Sequence, residues 1–132
     1  MKRQGGEMAQ LLVVDDDPTI LGVLAEVLSS LGHGVVAAGS GREAIEAMRS
    51  HSIEIALVDW QMAGITGRDV VEYAQRECPD IKVLVSTGHD SEQVSDSLAG
   101  RYAEAVMRKP FSLNELASIV TKITTETEAS AR

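Results

Sequence analysis

Five short apolar runs, at residues 11–14, 35–38, 55–58, 83–85 and 105–107, each end at polar or glycine-containing turns. None shows the apolar–polar alternation of a half-exposed strand. An unbroken apolar run bounded by turn residues suits a strand covered on both faces, as in a parallel sheet. Between the runs, apolar residues recur at helical spacing. Ile20, Leu21, Leu24, Val27, Leu28 and Leu31 follow the first run, and Ala44, Ile45, Ala47 and Met48 follow the second. Strand–helix alternation with such short connections predicts an α/β fold, a doubly wound parallel sheet with right-handed crossovers.

Local signals agree with that frame. Asp17 before Pro18 sets a cap and a first helical residue, while Gly32 and Gly34 close the helix they open. Ser40 with Glu43, Thr66 with Asp69, and Ser112 with Glu115 have capping-box spacing. Further helices are predicted through Val70, Val71, Tyr73 and Ala74, stopping near Cys78-Pro79; from about 91 to 98; and over Leu113, Leu116, Ile119, Val120 and Ile123. Residues 1–9 read as a flexible lead-in, 10–123 as one domain and 124–132 as a polar tail.

At 132 residues the chain is long enough for one domain with a real core. That core must be aliphatic, because the sequence has only one Trp, one Phe and two Tyr. A formal net charge of −8 argues against a nucleic-acid-binding surface on this domain. Cys78 is the sole cysteine, which excludes an internal disulfide and fits a reducing compartment. No apolar stretch has the length of a membrane span or a secretion signal, so a cytoplasmic protein without membrane contact is expected.

Chemistry gathers at the strand ends. The run 55–58 leads straight into Asp59, and Gly64 and Gly67 follow in the loop. In open α/β sheets, ligands bind at the carboxyl ends of the strands. The first run ends in Asp15, Asp16 and Asp17, the fourth in Ser86 and Thr87, and the fifth is followed by Lys109. The second ends only in Ala38-Gly39. Each residue alone has an ordinary reading: Asp59 as a turn, Asp17 as a cap, Thr87 as a strand end, Lys109 as an exposed charge. Their coincidence at four strand ends carries the weight. Packed carboxylates raise one another's pKa, and a hard divalent cation together with a lysine relieves them. Mg²⁺ takes oxygen ligands, commonly one or two carboxylates plus phosphate oxygens. An aspartate beside it can accept a phosphoryl group, whose oxygens an ammonium and a hydroxyl then bind.

The segments LLVVDDDP, LVDWQMAGITG, VLVSTG and RKPF resemble, in order and spacing, the four motifs of the receiver domain of two-component response regulators, of the chemotaxis-regulator kind. The resemblance covers about residues 10–123. It implies a flavodoxin-like five-stranded sheet in the order 2-1-3-4-5 with five helices. It also implies that Asp59 accepts the phosphoryl group. Asp15, Asp16, Asp59 and the backbone carbonyl of Gln61 would hold Mg²⁺ (or Mn²⁺). Thr87 would swing toward the phosphoryl group, Lys109 would pair with it, and the Lys109–Pro110 bond would be cis. The donor would be a sensor histidine kinase or a histidine phosphotransfer protein, and the output an unidentified target protein. A homodimer through the last helix and its neighbouring strand is suggested by analogy alone. Such a domain is a signalling module that catalyses its own phosphorylation and dephosphorylation. Both a stand-alone regulator and a receiver within a larger protein, such as a hybrid kinase, stay open.

Three departures from the family pattern stand out. Ala63 replaces the usual proline after the loop methionine. Val106 replaces an aromatic that couples to the hydroxyl residue, which predicts a weakened or rerouted change on the face of the fourth helix, fifth strand and last helix. Tyr102 replaces a glycine, with packing its expected role. Gln61 and His89, two residues after Asp59 and Thr87, occupy positions that in the family flank the path of an attacking water, and they are expected to tune the lifetime of the phosphorylated form. The alternative is a pseudo-receiver, a phosphorylation-independent interaction module. A flavin or dinucleotide enzyme on the same fold is disfavoured, because the first strand–helix turn is Asp-Asp-Asp-Pro rather than glycine-rich.

Overall fold

A computed structural model describes residues 9–62, 64–88 and 103–130. The helix predicted near 91–98, together with Ala63, His89 and Tyr102, lies outside the described residues. The elements follow in the order β1 (Gln10–Val14), α1 (Pro18–Ser30), β2 (Gly34–Ala38), α2 (Gly41–Ser50), β3 (Ile55–Asp59), α3 (Gly67–Glu77), β4 (Lys82–Thr87), β5 (Ala105–Arg108) and α4 (Leu113–Ser130). All strand pairs are parallel, in the sheet order β2-β1-β3-β4-β5. This is the flavodoxin-like order, with four helices among the described residues.

Successive strand residues point to opposite faces, and here both faces are covered. Leu12, Val14, Ala56, Val58, Val83 and Val85 pack with Ala44, Met48, Val70, Val71 and Ala74 of α2 and α3. Leu11, Val13, Ile55, Leu57, Leu84 and Met107 pack with Leu24 and Leu28 of α1 and with Leu116, Val120 and Ile123 of α4. That is why the runs are apolar without alternation. Several strands extend past those runs, through Gln10, Gly34, Lys82 and Arg108, because the backbone ladder continues where polar side chains begin.

The caps differ in completeness. Asp17 accepts from the backbone N–H of Thr19 (2.9 Å) and Ile20 (3.3 Å), with Pro18 at the first helical position. Thr66 and Asp69 form a full capping box. At α2 the box is half formed: Ser40 Oγ accepts from Glu43 N–H, but the Glu43 carboxylate accepts from Gly39 N–H instead. Ser112 likewise accepts from Glu115 N–H at 3.0 Å.

α4 overturns one expectation, since it continues through Thr124 to Ser130 rather than ending in a polar tail. Thr124 is fully buried, and its hydroxyl donates to Val120 O at 2.8 Å. A threonine that bonds the preceding turn stays inside a helix. The helix leaves the carboxyl edge of the sheet after Lys109 and runs back along α1, so that its Lys122 shares a surface cavity with Leu31 and His33. At that amino edge, buried His33 accepts the Ala9 N–H on Nδ1 at 3.0 Å. No helix among the described residues is long and apolar enough to cross a membrane.

Gly67 opens α3 beneath the exit of β3. A Cβ there would collide with Asp59 O and lie 2.6 Å from Trp60 Cα. Gly67→Ala therefore pushes on backbone, which has no rotamer to yield. We expect it to destabilise the protein by about 1–3 kcal/mol, the usual range for overpacking. Urea unfolding checks this, and an unchanged midpoint would refute the close packing.

Candidate functional site

The order β2-β1-β3-β4-β5 makes β1, β3, β4 and β5 consecutive neighbours. Their carboxyl ends therefore meet, and the polar residues that terminate them form one rim. β2, the outer strand, ends at Ala38, whose carbonyl accepts the Asp15 N–H at 3.2 Å.

Asp15 and Asp59 are buried, at 2% and 4% exposure, whereas Asp16 is exposed. One carboxylate oxygen from each of Asp15, Asp16 and Asp59 falls within 4.8 Å of the other two. Lys109 reaches in from beyond β5. Its Nζ donates to Asp15 Oδ2 at 3.1 Å and stands 3.4 Å from Asp59 Oδ1. Its backbone N–H donates to Thr87 O at 2.7 Å, and the Lys109–Pro110 bond is cis. Backbone amides steady the acids: Asp17 N–H donates to Asp15 Oδ1 at 2.9 Å, and Gln61 N–H to Asp59 Oδ1 at 3.2 Å. Ser86 lies in register with Asp59, and fully buried Thr87 ends β4.

Electrostatics follow from this burial. Loss of solvent pushes the Asp59 carboxyl above its ordinary pKa, and the charge of Asp15 adds to the rise. The Gln61 amide and Lys109 offset it only in part. Burial alone would lower the pKa of Lys109, but its hydrogen bond to Asp15 and the charges of Asp59 and Asp15 outweigh that, so the net shift is upward. The ammonium is thus held charged between two carboxylates. An oxygen-only donor set of clustered carboxylates fits a hard divalent cation.

All the site residues expected at the strand ends come together: Asp15, Asp16, Asp59, Thr87 and Lys109. Val106 lies opposite Val85 in β5, half-buried against the α2–α3 side of the core. One contact escapes the sequence reading. The Gln61 side-chain Oε1 accepts the Gly88 N–H at 3.0 Å, across from the loop of β3 to the end of β4. No spacing signals it, because it joins two loops that are distant in sequence.

An open parallel sheet in this order, with an acidic rim closed by a lysine, defines a flavodoxin-like module of the chemotaxis-regulator kind. Residues 11–121 match the family model of the response regulator receiver domain. The chain belongs to that family and is a signalling module of two-component systems. It is 32% identical over 118 residues to the probable transcriptional regulatory protein TcrX of Mycobacterium tuberculosis. That match covers 88% of this chain and 50% of TcrX, so the chain spans half of that relative's length. A CheY-like receiver domain protein from Methanospirillum hungatei superposes with a TM-score of 0.87 at 25% identity, covering 93% of this chain and 98% of that one. The response regulator TrrA of Thermotoga maritima, solved in complex with Mg²⁺-BeF, gives 0.78 at 30% identity, covering 87% and 98%.

Proposed function

We propose that this chain accepts a phosphoryl group on Asp59 from a phosphohistidine of a sensor kinase or phosphotransfer protein, and that acceptance alters what it binds. The observation that carries this reading is Lys109 lying between buried Asp15 and Asp59 within the three-carboxylate cluster. A carboxylate oxygen of Asp59 attacks phosphorus and forms the new O–P bond. The P–N bond to the donor imidazole breaks, and the imidazole keeps the electron pair and gains a proton from solvent. Lys109 balances charge on the added group, and the Thr87 hydroxyl turns toward it. Asp15, Asp16, Asp59 and the Gln61 carbonyl would hold Mg²⁺, which when bound neutralises charge developing on the transferred group. By the family resemblance, Gln61 and His89 set how long the acyl phosphate survives. The Mg²⁺-BeF complex of TrrA supports the same chemistry here. This reading places the chain in the cytoplasm, beside its kinase, with a target protein as its output.

Trp60 adjoins Asp59 and is the only tryptophan, so it reports on the site. Mg²⁺ should change its fluorescence saturably, and a small phosphodonor should change it further. Intact mass should rise by one phosphoryl group in the wild type and not in Asp59→Asn. A wild-type chain whose mass stays constant under these conditions is instead a phosphorylation-independent interaction module.

A further inference from the structure

Gln61 touches the acceptor with one end and the neighbouring strand with the other. Its backbone N–H donates to Asp59 Oδ1 at 3.2 Å, and its side-chain Oε1 accepts the Gly88 N–H at 3.0 Å. Gly88 directly follows Thr87, the last residue of β4. The fit is close, since a Cβ on Gly88 would stand 3.2 Å from that same Oε1. Trp60 N–H to Ser86 O, at 2.8 Å, also joins β3 to β4 here, but both its atoms are backbone and neither belongs to the acceptor carboxylate. The Gln61 contacts begin at the carboxylate itself.

We propose that Gln61 is a positioning residue that relays the state of Asp59 to the end of β4. The inference rests on the reading of Asp59 as phosphoacceptor. An ionised carboxylate is a strong acceptor, and hydrogen bonds to it are roughly twice as strong as neutral ones. Joining a phosphoryl group to Asp59 removes the carboxylate charge, so the Gln61 N–H loses much of its hold. The loop then shifts, Oε1 releases the Gly88 N–H, and the peptide after Thr87 is left held on one side only, by its carbonyl to the Lys109 N–H. In the unmodified protein the same pair of bonds ties the end of β4 to Asp59, beside the Lys109 N–H that Thr87 O accepts. Val106 offers no ring to carry a signal along β5, so this hydrogen-bonded route runs from β3 to β4 without it.

The test compares wild type, Gln61→Met and Gln61→Glu by ¹⁵N amide spectra, before and after adding beryllofluoride with Mg²⁺. Met has similar length and no oxygen, whereas Glu keeps an acceptor at the same reach. Gln61 is exposed, so resonances of the core strands verify that each variant folds. In Gln61→Met the Gly88 and Thr87 signals should already lie toward their beryllofluoride positions, and the added mimic should move them less than about half as far as in wild type. Gln61→Glu, before the mimic is added, should restore the wild-type position of Gly88. Phosphorylation by a small phosphodonor should run roughly 2- to 10-fold faster in Gln61→Met, the range set by releasing one net hydrogen bond. Equal shifts in wild type and Gln61→Met overturn the relay alone. A wild type that does not respond to beryllofluoride overturns the phosphoacceptor reading, and the relay with it.

Discussion

Replacing Asp59 by asparagine should raise the melting temperature of the metal-free protein at neutral pH. The carboxyl has a pKa raised by burial and by the charge of Asp15, so folding favours its neutral form. For a group raised in this way, stability is fully present below the unfolded pKa and is lost as pH rises through the folded pKa. Asparagine is neutral at every pH and escapes that loss. It also keeps an oxygen for the Gln61 N–H, which donates to Asp59 Oδ1 in the wild type. The gain should therefore be present at pH 7–8 and vanish under acid conditions, where both chains carry a neutral side chain. Each 1 kcal/mol recovered is worth roughly 3–5 °C for a domain of this size. Saturating Mg²⁺ should reverse the order, since at about 100 times its dissociation constant a ligand adds roughly 2.7 kcal/mol to the protein that binds it. Melting curves with and without Mg²⁺ decide the matter. A variant that melts below wild type without metal would contradict the raised pKa.

Lys109→Met should act in the opposite direction. Removing the ammonium leaves the buried Asp15 and Asp59 carboxylates facing each other within the acidic cluster. Breaking a fully buried ion pair by deleting one partner is worth about 3–5 kcal/mol. The Lys109 side chain keeps 26% of its exposure, so solvent screens part of the effect and about 1–3 kcal/mol is expected. The loss should shrink as pH falls and Asp59, whose carboxyl burial already pushes above its ordinary pKa, takes up a proton. It should shrink also when Mg²⁺ supplies the missing positive charge, making the metal more stabilising in the variant than in wild type. On the role proposed for Lys109, phosphorylation of the variant should nonetheless be slow. Denaturant unfolding at two Mg²⁺ concentrations separates the terms. Equal stability of variant and wild type without metal would mean that Lys109 does not relieve the acids.

The two variants show which parts of the site the sequence exposes. That Asp15, Asp16, Asp59, Thr87 and Lys109 sit at strand ends follows from where apolar runs stop. A parallel sheet covered on both faces forces those runs to be continuous, so the fold and the rim are legible together. Lys109 bridging two acids depends on the order of strands, which alternation alone leaves open and the family resemblance supplies. Thr124 looks like the start of a tail because its composition is polar, yet burial and a bond to the preceding turn keep it helical. The Ser40 box fails by one partner because Glu43 finds the Gly39 amide instead. The Gln61–Gly88 contact is hidden for a similar reason: a glutamine's reach is set by loop geometry, not by any local pattern.

The return of α4 along α1 has a practical consequence for handling the protein. The Ala9–His33 contact and the far end of α4 both lie at the amino edge of the sheet, opposite Asp59. A strand of five residues spans roughly 16 Å. An affinity handle, fluorophore or fused reporter joined ahead of β1 or behind α4 therefore starts about a sheet's height from Asp59. Surface immobilisation at the start of β1 or behind α4 therefore attaches the protein at the edge of the sheet opposite the acidic rim.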